Sequence, residues 1–271
     1  MMDYLARDGA PIGADLWKQI DGTVIGNARR HMVCRRFISL HGPLGAGVSS
    51  VAVDSTDKEE IFDNGIGRIG GRRIVELPQL YQDFSLLWRD LEEAASLGLP
   101  ADLSAVAAAA QRSAKQEDLL ILLGDSSLGV EGLFTAEGAR RVERGDWSVG
   151  EDAFRDVAKG VAYLSSNSML GRYALVLSPE LYLDLQRLQT SVGMLELDRI
   201  AALVDGRVYP AGPYGAGKAA LVCAEPQYVD LAVGLDLSVA YLEQKDLNHY
   251  FRITETVALR IKRPEAIVRF E

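Results

Sequence analysis

The stretch Gly212-Pro213-Tyr214-Gly215-Ala216-Gly217-Lys218-Ala219 carries the clearest chemical pattern in the chain, because it satisfies GxxxxGK. In a phosphate-cradling loop of that form, backbone amides hold phosphate, the lysine reaches the terminal phosphates, and a following Ser or Thr holds magnesium. Here that last position is Ala219, which has no hydroxyl. Such a loop must also open a helix whose N-terminal amides face the phosphate. Ala220-Leu221-Val222-Cys223-Ala224 instead reads as a strand, so a glycine-rich turn between strands is the better account. A nucleotide-dependent enzyme using Gly212 to Lys218 stays as the third of three functional readings.

The other chemistry-bearing residues are scattered. His31, His41 and His249 have no i+4 or HExxH partner, so a metal site would have to gather ligands from distant segments. Cys34 has His31 three residues away as a geometrically feasible base, but a lone cysteine more often serves as a small buried hydrophobe. The acidic pairs Glu92-Glu93, Glu117-Asp118 and Glu151-Asp152 are neighbours in sequence. On a helix such neighbours do not face each other, which makes them poor acid/base pairs and natural members of solvated faces. No catalytic residue and no metal site is expected.

Composition narrows the class. The 271 residues are 48% hydrophobic, enough for one large domain or two small ones. A net charge of −9 argues against general nucleic-acid binding, which needs a basic surface. No run of about 18 apolar residues suggests a membrane span, and Met1 to Gly9 lacks an apolar export core. The two cysteines, Cys34 and Cys223, are far apart, which fits a reducing cytoplasm.

The elements that would position these residues alternate along the chain. Leu16, Ile20, Val24 and Ala28 form an i+4 ladder, widened by Trp17 and Ile25, that predicts a helix over Ala14–Met32. Arg29, Arg30, Arg35 and Arg36 follow as favourable charge near its C-terminus. Residues 42–75 read as the two arms of a long hairpin, with Val51 and Val53 on one arm and Ile66, Ile69 and Ile74 on the other. So little apolar area cannot hold an isolated ribbon, which must lie on its own domain or on a neighbouring subunit.

The Ala-rich run predicts a helix over Leu103–Leu123, capped by Asp102 and ended by Gly124. It would be roughly 30 Å long. Helices are expected at Glu151–Leu164, after Ser178-Pro179, and at Leu197–Val204, with strands at Tyr173–Leu177 and Val208-Tyr209. Strands then dominate: Leu221–Ala224, Leu231–Leu242 and Tyr250–Ile261.

Several segments in this order resemble one known family, the encapsulins, shell proteins with the phage capsid fold. They are Cys34-Arg35-Arg36-Phe37-Ile38-Ser39-Leu40 with Gly42-Pro43-Leu44-Gly45, the helix end Leu119 to Gly124, and the terminal run from Ile253 to Phe270. The likeness covers nearly the whole chain. It implies an α+β, HK97-type capsid fold with an N-terminal helix and start of a peripheral domain (1–45), an extended loop (46–75), a peripheral domain with a spine helix (76–129), an axial domain (130–220) and return strands of the peripheral domain with the extended-loop base (221–271). It further implies a closed icosahedral homo-oligomer, with roughly sixty copies or more.

By the same resemblance, a cargo enzyme of the ferritin-like or peroxidase class is recognised through a short terminal peptide, with Ile25, Phe37 and Ser39 as candidate cargo-binding residues. Some relatives carry an acidic residue where Ser39 stands, so cargo contacts here should be more apolar. The loop start departs too, with Ala46 where relatives often have an aromatic. Thr190, Ser191, Val192, Gly193 and Met194 would line a fivefold pore that is weakly selective, since none is charged. No cofactor is required; flavin is an option at Trp88, whose competing role is core packing at helical spacing with Phe84 and Leu91. The leading reading is therefore a non-enzymatic shell in the cytoplasm, involved in iron storage or oxidative stress, with no nucleic acid or membrane partner. The second is a viral or prophage capsid protein packaging DNA.

Overall fold

The computed structural model describes residues 3–53, 59–61, 67–69, 73–189, 193–212 and 217–271. The first helix, α1 (Ala14–His31), buries Trp17, Ile20, Val24 and Ala28 of the predicted stripe, leaving Leu16 half-buried and Ile25 exposed. Helix α2 (Trp88–Leu97) stops at Gly98, whose φ of 63° suits a residue without a side chain. Helix α3 (Ser104–Leu123) starts where the Asp102 carboxylate accepts the Ser104 amide at 2.9 Å. It ends at Gly124, where an added Cβ would run into the Val130 carbonyl.

Helices α4 (Asp152–Ser166), α5 (Pro179–Asp184) and α6 (Glu196–Leu203) follow. Ser178 precedes α5 as expected, but its hydroxyl accepts the Gly217 amide at 3.2 Å instead of capping the helix.

Two five-stranded sheets carry these helices. The first is built on the long strand Asn248–Ile261, whose C-terminal half pairs with Val229–Val233 and whose N-terminal half pairs with Ser238–Lys245 and Gln79–Leu86. Leu40–His41 adds in parallel beside Val229–Val233. Helix α3 packs on this sheet and against α1. Between the layers Phe251 stacks on Phe84 and meets the edges of Trp17 and Tyr241, with centroids 5.0, 5.6 and 5.5 Å away.

The second sheet runs Val208–Pro210, Tyr173–Leu177, Ala219–Cys223, Ile267–Phe270, Arg140–Val142. Every residue of Ala219–Cys223 and Ile267–Phe270 is buried, as strands covered on both faces require. Alternate residues point to different cores. Ala174, Val176, Ala220 and Val222 join a core shared with Leu231, Val257 and Leu259 of the first sheet, while Leu175, Leu177 and Leu221 join one formed with α4–α6.

Three expectations are corrected. The strand read as Leu231–Leu242 is interrupted at Gly234–Leu237, with Val233 opposite Val257 and Ser238 opposite Thr254. There Thr256 interrupts the ladder, its carbonyl accepting the Gly234 amide at 2.8 Å and its hydroxyl the Leu235 amide at 2.7 Å. The domain boundary placed between residues 220 and 221 falls inside a strand, and Ile267–Phe270 belongs to the second sheet and not to the peripheral return strands. Phe84 lies in a strand and Trp88 opens a helix, so they share no helical face. In the extended-loop region, Ser50–Ala52 pairs with Ile74–Glu76 and Glu59–Ile61 with Gly67–Ile69, while Ile66 lies outside the described residues.

Candidate functional site

At the C-terminus of α1 the chain turns through Cys34–Arg36, a single turn of 3-10 helix. This turn is held from α3. The Asp118 carboxylate accepts the Val33 and Cys34 amides at 2.8 and 2.9 Å. One residue earlier on α3, Glu117 takes the Arg35 guanidinium, with Nη2 at 2.6 Å. The same guanidinium reaches Glu255 of the long strand at 2.9 Å and Asp236 of the strand interruption at 2.8 Å.

The side chains of Glu117 and Glu255 have no exposed surface. The expectation that Glu117-Asp118 forms a solvated face is therefore wrong. The two carboxylates point to different buried partners, which adjacent helical positions permit.

Burial governs the protonation of this cluster. Desolvation, with the neighbouring Glu117 carboxylate, holds the Glu255 carboxyl well above the usual range. Its Oε1 is buried without a hydrogen-bond partner, and a proton there would supply a donor toward Glu117. Burial also pushes Asp118 up to about 6, against the two amides that favour its charge. Burial and Asp118 push the Cys34 thiol well above its usual value, so it is no nucleophile. Its supposed base is engaged elsewhere, with His31 Nδ1 2.8 Å from the Asn27 carbonyl oxygen. His249 sits 3.2 Å from the Tyr241 hydroxyl and is lowered by burial, and Cys223 is pushed up to about 11, first by burial.

Beside the Arg35 turn lies an open groove of about 390 Å³, with Ile25, Met32, Leu40 and Leu237 along its apolar walls and Arg29 and Arg36 at its rim. Ile25 and Leu40 are 43% and 49% exposed. Of the three expected cargo residues, Ile25 lines this groove. Phe37 is buried and stacks on Tyr209 at 5.1 Å, inside the core the two sheets share. Ser39 accepts a hydrogen bond from Arg172 Nη2 at 2.8 Å, and its carbonyl accepts the Leu231 amide. The structure thus brings Ile25 together with Met32, Leu40 and Leu237, which sequence reasoning missed. The Ile25–Met32 spacing of seven was the one local signal for that face.

Thr190, Ser191 and Val192 of the expected pore lie outside the described residues. Gly193, with φ 68°, and Met194, 49% exposed, belong to a short ribbon pairing Leu188-Gln189 with Met194-Leu195. Trp88 is half-buried, with the Arg89 guanidinium over its ring at 5.5 Å. Of the glycine-rich motif, Pro213 to Ala216 lie outside the described residues. Lys218 runs directly into the strand beginning at Ala219, and its carbonyl accepts the Ser178 amide. No helix follows the motif, as its phosphate-binding form would require. Among the described residues there is no cluster of three or more metal-ligating side chains, and no helix is long and apolar enough to cross a membrane.

Comparison with known proteins assigns this architecture. Residues 2–258 match the family described as encapsulating protein for peroxidase. The type 1 encapsulin shell protein EncA of Myxococcus xanthus is 37% identical over 281 aligned residues, covering 100% of this chain and 97% of its own. The virus-like particle from Pyrococcus furiosus superposes with a TM-score of 0.78 at 19% identity, covering 95% of this chain and 100% of that one. The capsid of Myoviridae phage XM1 gives 0.61 at 15% identity, over 89% and 91% of the two chains. The molecule is a structural shell protein with the HK97-type capsid fold. It belongs to the encapsulin family.

Proposed function

We propose that copies of this chain close into an icosahedral nanocompartment of roughly sixty subunits or more. It holds a cargo enzyme in the cytoplasm and recognises that cargo by a short terminal peptide. The observation that carries the docking reading is the open groove beside α1, apolar along Ile25, Met32, Leu40 and Leu237. The buried Arg35 cluster ties the turn that flanks the groove to α3 and the long strand, so a peptide would meet a preorganised surface. Phe37 and Ser39 would act behind it, by positioning the segment that leads to Leu40.

The family description supports a peroxidase-class cargo, and a ferritin-like enzyme is the second option. Either would connect the shell to oxidative stress or iron handling. Flavin at Trp88 is a separate proposal, resting on a half-buried indole able to stack on a flat ring. Its test is the absorbance spectrum of the purified shell before and after Trp88→Ala.

The docking test is co-expression with the cargo, followed by electron microscopy and mass spectrometry of the purified particles. Ile25→Asp should leave closed shells but empty them of cargo. Shells that keep a full cargo load would move the docking site elsewhere. Nuclease-protected DNA inside would replace the compartment by a viral capsid.

A further inference from the structure

A second groove, of about 600 Å³, lies at the edge of the second sheet between Arg140–Gly145 and α4. Its lining gathers Arg140, Arg141, Arg144, Arg155 and Lys159 on a chain whose net charge is −9. Glu143 also lines it, Arg141 stands 3.8 Å from Glu271, and Arg155 and Lys159 are partly neutralised by Asp152 and Asp156 of their own helix, at 3.0 and 3.1 Å. Arg140 and Arg144 have no ion pair among the described residues. Each lies over an aromatic ring instead, Tyr163 at 5.5 Å and Trp147 at 5.9 Å. Arg144 Nε is buried with no hydrogen-bond partner. The strand Arg140–Val142 is also the last of its sheet.

The opposite kind of surface stands on another part of the molecule. Helix α2 has no buried residue in its ten, and its half-buried Leu91 is the residue that packs on the core. So short a helix is marginal without tertiary cover. Asp90 and Glu93 are three apart, Glu93 and Leu97 four apart, so one face presents two carboxylates and a leucine that is 62% exposed. None of Asp90, Glu92 and Glu93 forms an ion pair among the described residues.

We infer that the basic groove of one copy receives the acidic face of α2 from a second copy. Copies carrying −9 each repel one another, and contacts form where opposite local charges meet. Two different patches on one chain make a heterologous contact, the kind that propagates around a closed assembly. The carboxylates of α2 supply the partners that Arg140 and Arg144 lack, and the neighbour covers a helix left bare in the single chain.

This pairing rests on the shell reading, and a charge swap separates the two. The parent chain, Arg140→Glu/Arg141→Glu, Asp90→Lys/Glu93→Lys and the combination of all four would be compared by sedimentation velocity. Circular dichroism and thermal melting would confirm folding of each. Each double variant should lower the assembled fraction about tenfold or more, and the combination should restore it to within about twofold of the parent. Double variants that assemble like the parent, or a combination that fails to recover, overturn the pairing while the shell stands. A parent chain that remains monomeric overturns both.

Discussion

Two ionic sites buried beside the first sheet carry opposite imbalances. At one, Asp230 lies directly across from Arg260 on the adjacent strand and receives its guanidinium through two hydrogen bonds of 2.6 Å. Lys262 reaches the same carboxylate at 2.7 Å, so one anion faces two cations. At the other, the single cation Arg35 faces Glu117, Glu255 and Asp236. Spare cations can lead long aliphatic stems toward water, and Lys262 is 22% exposed. At the Arg35 site Asp236 is 55% exposed and meets water, whereas Glu117 and Glu255 have no exposed surface, and desolvation beside Glu117 holds the Glu255 carboxyl well above its usual range. The first site is a local cross-strand clamp, whereas the second ties the turn after α1 to α3 and the long strand.

Removing each arginine should expose that difference most strongly. Arg35→Met leaves buried carboxylates without their cation and should cost about 3–5 kcal/mol in urea unfolding at neutral pH. Arg260→Met leaves Lys262 on Asp230 and should cost less, about 1.5–3 kcal/mol, including the bond to the Ala52 carbonyl at the base of the extended loop. Equal losses would mean that charge balance does not distinguish the sites.

Asp118 gives the pH arm of the comparison. Its folded value of about 6 stands above the ordinary 3.8, so the native chain keeps a proton that the unfolded chain releases. This contribution to stability is complete below about pH 4, declines as pH rises toward 6, and is absent above. Asp118→Asn should remove that part of the slope from urea midpoints measured across the window, and an unchanged slope would assign it to another group. The smallest effect is expected for Glu255→Gln. A protonated carboxyl and an amide have nearly the same shape and neutral charge, so stability at neutral pH should change by less than about 1 kcal/mol. A larger loss would show Glu255 to be ionised beside Glu117.

Much of the framework was readable in the chain. Of the ladder Leu16, Ile20, Val24 and Ala28 with its flanking Trp17 and Ile25, all but the half-buried Leu16 and the exposed Ile25 are buried in α1, and Tyr173–Leu177 is a strand with the expected ends. The capsid likeness came from segments in order and gave the fold, while the Ala-rich run and the strand pattern gave α3 and the long strand Asn248–Ile261. The Gln79–Leu86 strand was missed because Phe84, Trp88 and Leu91 mimic a helical period across the true boundary. The groove was half legible. Ile25 and Met32 share a helix face, but Leu40 and Leu237 reach it from beyond the turn and from the strand interruption.

Apolar period, glycine stops and acidic composition are properties of neighbouring residues, and they survive translation into α1, α3 and the strands because local geometry alone expresses them. The fate of the charges does not. Arg35 read as a cation near a helix end and Glu117-Asp118 as a wet face, yet Arg35 meets Glu117 from 82 residues away and Glu255 from 220. Whether a carboxylate is solvated, paired or protonated depends on how much water its neighbours exclude and how many cations they bring. Only the packing of α1 and α3 on the first sheet decides both.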